Sequence, residues 1–322
     1  MKKRALIFGV CGQDGVYLAK LLRDQGYEVH GTSRDKEMAN MAGLRLMGVY
    51  DDVTVHSAAL LDFRSVLQVI GDVRPDEIYN LAGQSSVGLS FAQPVETFEG
   101  IILGTLNILE CIRFLKLPAR FYNATSGEVF GNTETPADET TPFRPRSPYG
   151  VAKSTAFWTV ANYRESYGIF ACSGILFNHE SPLRPSRFVT QKIVRGAVDI
   201  AEKRAEKLTL GNLDVSRDWG WAPDYVDAMA RMLKRDEPDD YVVATGTSST
   251  LTGFVDAVFD CLGMKSSAYV ETTPDLMRPT DIRVSVGDPA KAKAKLDWCA
   301  DTTMPKLINR LVDAELARRQ TK

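Results

Sequence analysis

The chain has 322 residues, 44% of them hydrophobic and 25% charged, which suffices for one large domain or two modest ones around an ample core. Lysine plus arginine number 39 against 41 acidic residues, so no global charge bias toward nucleic acid or an anionic membrane exists. No apolar stretch approaches the ~20 residues of a membrane span and a strand pattern begins at once, so neither leader nor anchor is expected. Five scattered cysteines without a CxxC pair fit reduced, cytoplasmic thiols. His30, His56 and His179 lack a second ligand at metal spacing, so no metal is expected.

Residues 4–8 form a short apolar run suited to a buried strand. Gly9, Gly12 and Gly15 follow in GxxGxxG spacing, then a helical pattern over residues 16–25 with Val16, Leu18, Ala19, Leu21 and Leu22 as its apolar positions. Strand, glycine turn and helix form the setting of a dinucleotide loop. Gly9 would make the tight turn, Gly12 would admit a pyrophosphate at the helix N-terminus, and Gly15 would let helix and strand pack closely. The bland reading is a glycine-rich turn. The next strand, residues 28–32, leads into Ser33 and Arg34. An NAD site usually places an acid here; an arginine among small polar groups suits a 2′-phosphate and predicts NADP. The alternative is an exposed loop arginine, with Asp35 immediately after it.

Further strand patterns at residues 53–57, 77–80, 120–124 and 170–176 alternate with helical ones at 63–73, 95–115 and 148–167. This alternation predicts an α/β fold, a Rossmann-type doubly wound parallel sheet with its ligand cleft at the carboxyl ends of the strands. Pro182 to Arg187, with two prolines and two arginines, marks a change of regime. Beyond it helices are expected at 188–203, 225–234, 251–262 and 305–319, and a short strand at 207–210. Residues 242–244 could return to the sheet. The predicted division is an NADP-binding domain of residues 1–178 plus about 221–246, and a smaller, discontinuous C-terminal lobe of about 179–220 plus 247–322.

Tyr149 and Lys153 stand four residues apart, on one face of a helix that Ser147 caps and Pro148 begins. The ammonium, with the helix N-terminus, could lower the phenol toward proton transfer; an ordinary surface pair is the competing reading. Ser126 and Glu128 follow the strand that ends near Ala124. Ser126 could bond a substrate hydroxyl beside Tyr149, and Glu128, if burial raises it, could act as a base. A turn serine and a solvated carboxylate are the alternatives.

These residues resemble the extended short-chain dehydrogenase/reductase family, and within it the GDP-mannose 4,6-dehydratases. The likeness rests on Gly9 to Gly15, Tyr79 to Ser85, Arg144 to Tyr149, Asn162 to Gly168, Gly174 to Pro182, Phe188 to Thr190, Gly211 to Asp214 and Arg217 to Gly220. The resemblance implies bound NADP with contacts at Gly9, Gly12, Gln13, Asp14, Gly15, Arg34, Leu61, Asp62, Leu81, Tyr149 and Lys153. Asp62 would contact adenine, cap the helix after it, or both. It implies Ser126, Glu128, Tyr149 and Lys153 as the catalytic set, with Tyr149 the base at the sugar C4 hydroxyl and Glu128 the base at C5. Gln84, Ser85, Asn178, Lys192, Arg217 and Arg278 would bind a GDP-sugar, the cations serving its diphosphate. The product would be a 4-keto-6-deoxy sugar, with the cofactor regenerated. Nucleic-acid and membrane partners are not expected; a homodimer through the long helices is, with a tetramer left open.

Three departures stand out. The family usually has Thr-Ser-Glu where this chain has Ser126, Gly127 and Glu128, so a hydroxyl that could assist water loss is missing. Residues 34–38 replace a basic, serine-rich stretch that helps build tetramers, and Arg283 stands where the family has an acid. A related NADPH-dependent reductase or epimerase, and a non-catalytic NADP sensor, are the competing readings.

Overall fold

The computed structural model describes residues 2–320. Its chain begins with β1 (Arg4–Phe8), whose Ala5, Leu6, Ile7 and Phe8 are all fully buried. An apolar run buried on both sides is what a central parallel strand requires. Then come α1 (Gln13–Asp24), β2 (Glu28–Ser33), α2 (Ala42–Leu46), β3 (Val53–Ser57), α3 (Phe63–Val73) and β4 (Glu77–Asn80). After β4 lie α4 (Val87–Ala92), α5 (Pro94–Phe98), a wide helical turn at Glu99–Leu103, and α6 (Gly104–Phe114). The first half closes with β5 (Arg120–Ser126), α7 (Pro148–Tyr167) and β6 (Ala171–Leu176). The remainder is β7 (Asn178–Glu180), α8 (Val189–Ala201), β8 (Leu208–Leu210), β9 (Ser216–Trp221), α9 (Ala222–Met232), β10 (Tyr241–Val243), β11 (Ser248–Thr250), α10 (Leu251–Cys261), β12 (Val270–Thr272), β13 (Val284–Ser285), α11 (Ala290–Leu296) and α12 (Met304–Gln320).

Seven strands form one parallel sheet in the order β10-β6-β5-β4-β1-β2-β3. This is the Rossmann-type doubly wound sheet, and strand order reverses between β1 and β4, where the crevice opens. Alternate residues of β1 serve opposite faces. Ala5 and Ile7 join the cluster with α1 and α9, while Leu6 and Phe8 join the one with α3 and α6. A smaller sheet, β11-β9-β13 with β7 also on β9, lies beside it, and β12 pairs with β8. Helices α8, α10 and α12 pack with β8 and β9 around a third cluster that holds Ile193, Trp219, Phe254, Phe259 and Leu311.

Two helices depart from their expected spans, and β9 was not expected at all. Helix α1 starts at Gln13, not at residue 16, because Gln13 is buried there with partners of its own. The helix expected over residues 95–115 is interrupted by the wide turn at Glu99–Leu103. β9 carries no period-two pattern, yet its middle four residues are buried; Asp218 is satisfied by Thr245 and by the backbone N–H of Gly246 at 2.9 Å.

Candidate active site

A cleft of about 620 Å³ opens at the carboxyl ends of the sheet strands. Its floor at one end is the first turn of the chain. Gly9 sits at φ +86°, a region that a side chain disfavours. A Cβ on Gly15 would stand 2.3 Å from the Gly9 carbonyl oxygen, so strand and helix meet here only through glycine. Gly12 stands at the N-cap of α1, where no side chain makes a capping hydrogen bond. Free amide groups at an uncapped N-terminus beside a glycine cradle fit the pyrophosphate of a dinucleotide.

The side chains of Gln13 and Asp14 are committed within the protein. Gln13 accepts from Ser181 Oγ at 2.8 Å, and Asp14 Oδ2 lies 2.9 Å from His179 Nε2. They tie the loop to β7 and the segment after it. Leu81, Gln84 and Ser85 line the cleft from the loop after β4. Gln84 donates to Ser86 O at 2.9 Å and Thr97 Oγ1 at 3.2 Å, so its amide braces that loop. Arg34, Leu61 and Asp62 are not brought into the cleft. They lie past the ends of β2 and β3, where Arg34 is exposed and Asp62 caps α3 by accepting from Arg64 N at 3.1 Å.

Ser126 is the last residue of β5, and Glu128 stands in the tight turn after it. Ser147 accepts from Gly150 N at 3.0 Å and Pro148 occupies the first turn, so α7 starts as its sequence predicts. That start places Tyr149, 8% exposed, in the cleft that Ser126 also lines, and the Ser126 hydroxyl works to lower the phenol. Lys153 donates to the Ala124 carbonyl at 2.7 Å, and its Nζ is 5.8 Å from the Tyr149 ring centre. Burial pushes the phenol up to about 12, against the influence of Ser126, and holds the Lys153 ammonium down to about 8. The sequence expectation that Lys153 lowers the phenol is not met in the protein itself: desolvation sets the shift, and the charges that act on the phenol are Glu128, Arg184 and Asp14. Glu128 is also raised by burial, while Arg217 and Arg278 pull it down and Asp281 pushes it up. A raised carboxylate in a cleft is suited to removing a proton from carbon.

Asn178 at the start of β7, Lys192 in α8, Arg217 in β9 and Arg278 before β13 line the opposite wall. All four catalytic candidates and this wall thus share one cleft. Sequence reasoning missed His179, Arg184 and Arg187, which also line the cleft, and Asp281, which pairs with Arg217 at 3.0 Å. His179 sits inside a quoted run, but nothing in the spacing linked it to Asp14, 165 residues earlier.

A family model described as GDP-mannose 4,6 dehydratase matches residues 6–311. The chain belongs to the GDP-mannose 4,6 dehydratase family. It is 44% identical to GDP-mannose 4,6 dehydratase 2 of Arabidopsis thaliana over 99% of this chain and 89% of that protein. It is 41% identical to GDP-mannose 4,6-dehydratase of Vibrio cholerae, over 99% and 95% of the two chains. The UDP-glucose 4-epimerase of Thermus thermophilus, solved in complex with NAD, superposes with a TM-score of 0.86 at 26% identity, covering 97% of this chain and 99% of that one. Among the family's expected features, the dinucleotide loop and the tyrosine-lysine helix occupy one crevice here. No helix among the described residues is long and apolar enough to cross a membrane.

Proposed function

We propose that this protein is a nucleotide-sugar 4,6-dehydratase, a lyase that converts GDP-mannose to its 4-keto-6-deoxy form. The observation that carries this reading is Glu128, a raised carboxylate in the same cleft as the Ser126, Tyr149 and Lys153 set. A simple reductase needs no base for a carbon-bound proton.

Bound NADP would be held by Gly9, Gly12, Gly15 and Leu81, with Arg34 at a 2′-phosphate and Leu61 and Asp62 at the adenine end. When bound, the cofactor supplies a reversible acceptor for the electron pair of the C4–H bond and, while oxidised, a positive ring charge. The protein's own groups do the rest. Ser126 orients the C4 hydroxyl. Tyr149 takes its proton, with Lys153 and the α7 N-terminus favouring the phenolate. The C4 ketone acidifies the C5 hydrogen, which Glu128 removes as the C6 hydroxyl takes up a proton and leaves as water; return of the borrowed electron pair with its hydrogen to C6, and of a proton to C5, would complete the 4-keto-6-deoxy sugar. Arg217, Arg278 and Lys192 hold the diphosphate, and Asn178, Gln84 and Ser85 contact the sugar end.

Residues 1–178 plus about 221–246 form the cofactor domain in this reading, and the remainder the sugar-nucleotide lobe. Unpaired cysteines throughout support a cytoplasmic setting. Exposed Val95, Leu103, Phe114, Val151, Trp158 and Tyr167 on α5, α6, α7 and the wide turn support a homodimer through those helices, and a tetramer stays open. The test is incubation of purified protein with GDP-mannose and no added NADPH. The expected result is a 4-keto-6-deoxy product with no net cofactor change. A requirement for stoichiometric NADPH and a keto substrate would establish a reductase instead.

A further inference from the structure

Asp281 sits where the segment between β12 and β13 crosses the cleft. Its Oδ1 accepts from Arg217 Nη2 at 3.0 Å, from Arg278 Nη1 at 3.5 Å and from Ile282 N at 3.0 Å. The carrying segment is tethered on both sides, through Thr280 Oγ1 to the Arg146 carbonyl and Arg283 N to Asn132 Oδ1 at 2.6 Å. Arg217 is 6% exposed and held to Ser216 O at 3.0 Å, whereas Arg278 is exposed and makes no second ion pair among the described residues. Two guanidiniums on one oxygen repel each other. That repulsion adds to burial in lowering the Arg217 pKa.

We propose that Asp281 is a positioning residue that holds Arg217 and Arg278 together as a ready-made site for the substrate's diphosphate. This rests on reading the cleft as a nucleotide-sugar site. Asp281 keeps like charges adjacent that would otherwise separate, so a diphosphate meets an assembled pair and loses less in ordering it. It also offsets both arginines at Glu128. The charged and titratable groups that face Glu128 are Arg217 from β9, Arg278 and Asp281 from the crossing segment, and Tyr149 from α7.

Calorimetric binding of GDP and GDP-mannose kinetics, on the full chain, test this. Asp281→Asn keeps an acceptor oxygen and the volume but removes the charge. The variant is expected to weaken GDP about fivefold or more and to raise KM rather than lower kcat. The acid limb of its kcat/KM profile should move to lower pH, because the arginines then act on Glu128 without an offset. Wild-type GDP affinity, KM and acid limb in Asp281→Asn would overturn the proposal. If that variant does not fold, Asp281→Glu decides. It keeps the charge at a longer reach, so GDP should weaken while the acid limb stays in place; unchanged GDP affinity would overturn the idea. Failure of the wild-type protein to convert GDP-mannose would count against the functional reading instead.

Discussion

Replacing Asp14 by asparagine tests whether the buried contact between the first loop and β7 is an ion pair. His179 Nε2 lies 2.9 Å from Asp14 Oδ2, its Nδ1 lies 2.8 Å from the Phe177 carbonyl, and its ring stacks on Tyr225 at 4.5 Å. Burial works to lower His179, but the Asp14 charge and hydrogen bond outweigh it and the pKa is raised. Burial works to raise Asp14, but His179 outweighs it and the pKa is lowered. The raised histidine contributes stability that is full below its unfolded value and lost as pH rises through its folded pKa. The lowered aspartate contributes stability above its unfolded value, lost as pH falls through its folded pKa. Together they stabilise the fold most between about pH 4 and 6.5. The two side chains are only 9% and 19% exposed, so solvent screens them little. Removing one partner from a buried pair costs ~3–5 kcal/mol, and the partial exposure favours the lower end, ~3 kcal/mol near pH 6. Once His179 is neutral, only a hydrogen bond worth ~1 kcal/mol distinguishes the two proteins. At ~2 °C per kcal/mol for a chain of this size, Asp14→Asn should lower Tm by ~6 °C at pH 6 and by ~2 °C once the pH has risen through the folded His179 pKa. Parallel thermal melts of both proteins across that range, followed by circular dichroism, measure the gap. A gap that stays constant with pH refutes the ion pair.

Other perturbations separate the proposed roles. Glu128→Gln should abolish solvent deuterium uptake at the sugar C5 while cofactor binding persists; full uptake would remove Glu128 as the base. Arg34→Ala should weaken NADP about tenfold more than NAD, because a charge-assisted bond to the 2′-phosphate is lost; equal weakening argues for a cofactor without that group. A Cβ on Gly127 would lie 3.1 Å from Cδ1 of Phe177, so the side chain of Gly127→Ser is aimed at a buried ring and not at the sugar. Overpacking there should cost ~1–3 kcal/mol in a thermal melt, and kcat should not rise; a faster enzyme would show that the missing hydroxyl had limited water loss.

The large sheet was legible because its central strands, β1, β5 and β6, are short runs buried on both faces. β3, β4, α3 and α7 fall on the residues the pattern predicts. α7 was especially clear, since Ser147 and Pro148 mark its start and Gly168, at φ +66°, its end. The smaller sheet was not legible. β9 buries Arg217 and Asp218, and a strand that carries charge into a site shows no alternation of polar and apolar positions. Its partners β7, β11 and β13 are two or three residues long, too short for any period. The candidate set could be gathered because Ser126 ends one strand, Glu128 stands in the turn after it, and Tyr149 and Lys153 begin one helix. Asp14 with His179, and Arg217 with Asp281, are long-range pairs that only the fold brings together.

Glu128 and Tyr149 are both pushed up by burial in one cleft, yet their surroundings treat them differently. Arg217 and Arg278 pull Glu128 back down and so weaken it as a base. A diphosphate on those arginines brings negative charge to the same place and cancels the pull. Glu128 then rises further than burial alone lifts it against the arginines, and becomes a stronger base when substrate is present. The acid limb of kcat reports the complex, and that of kcat/KM the free protein. A diphosphate's effect on Glu128 is upward, so the kcat limb should lie at higher pH than the kcat/KM limb. Measured profiles for GDP-mannose with the two limbs coincident, or in the reverse order, would mean that the arginines do not couple the diphosphate to Glu128.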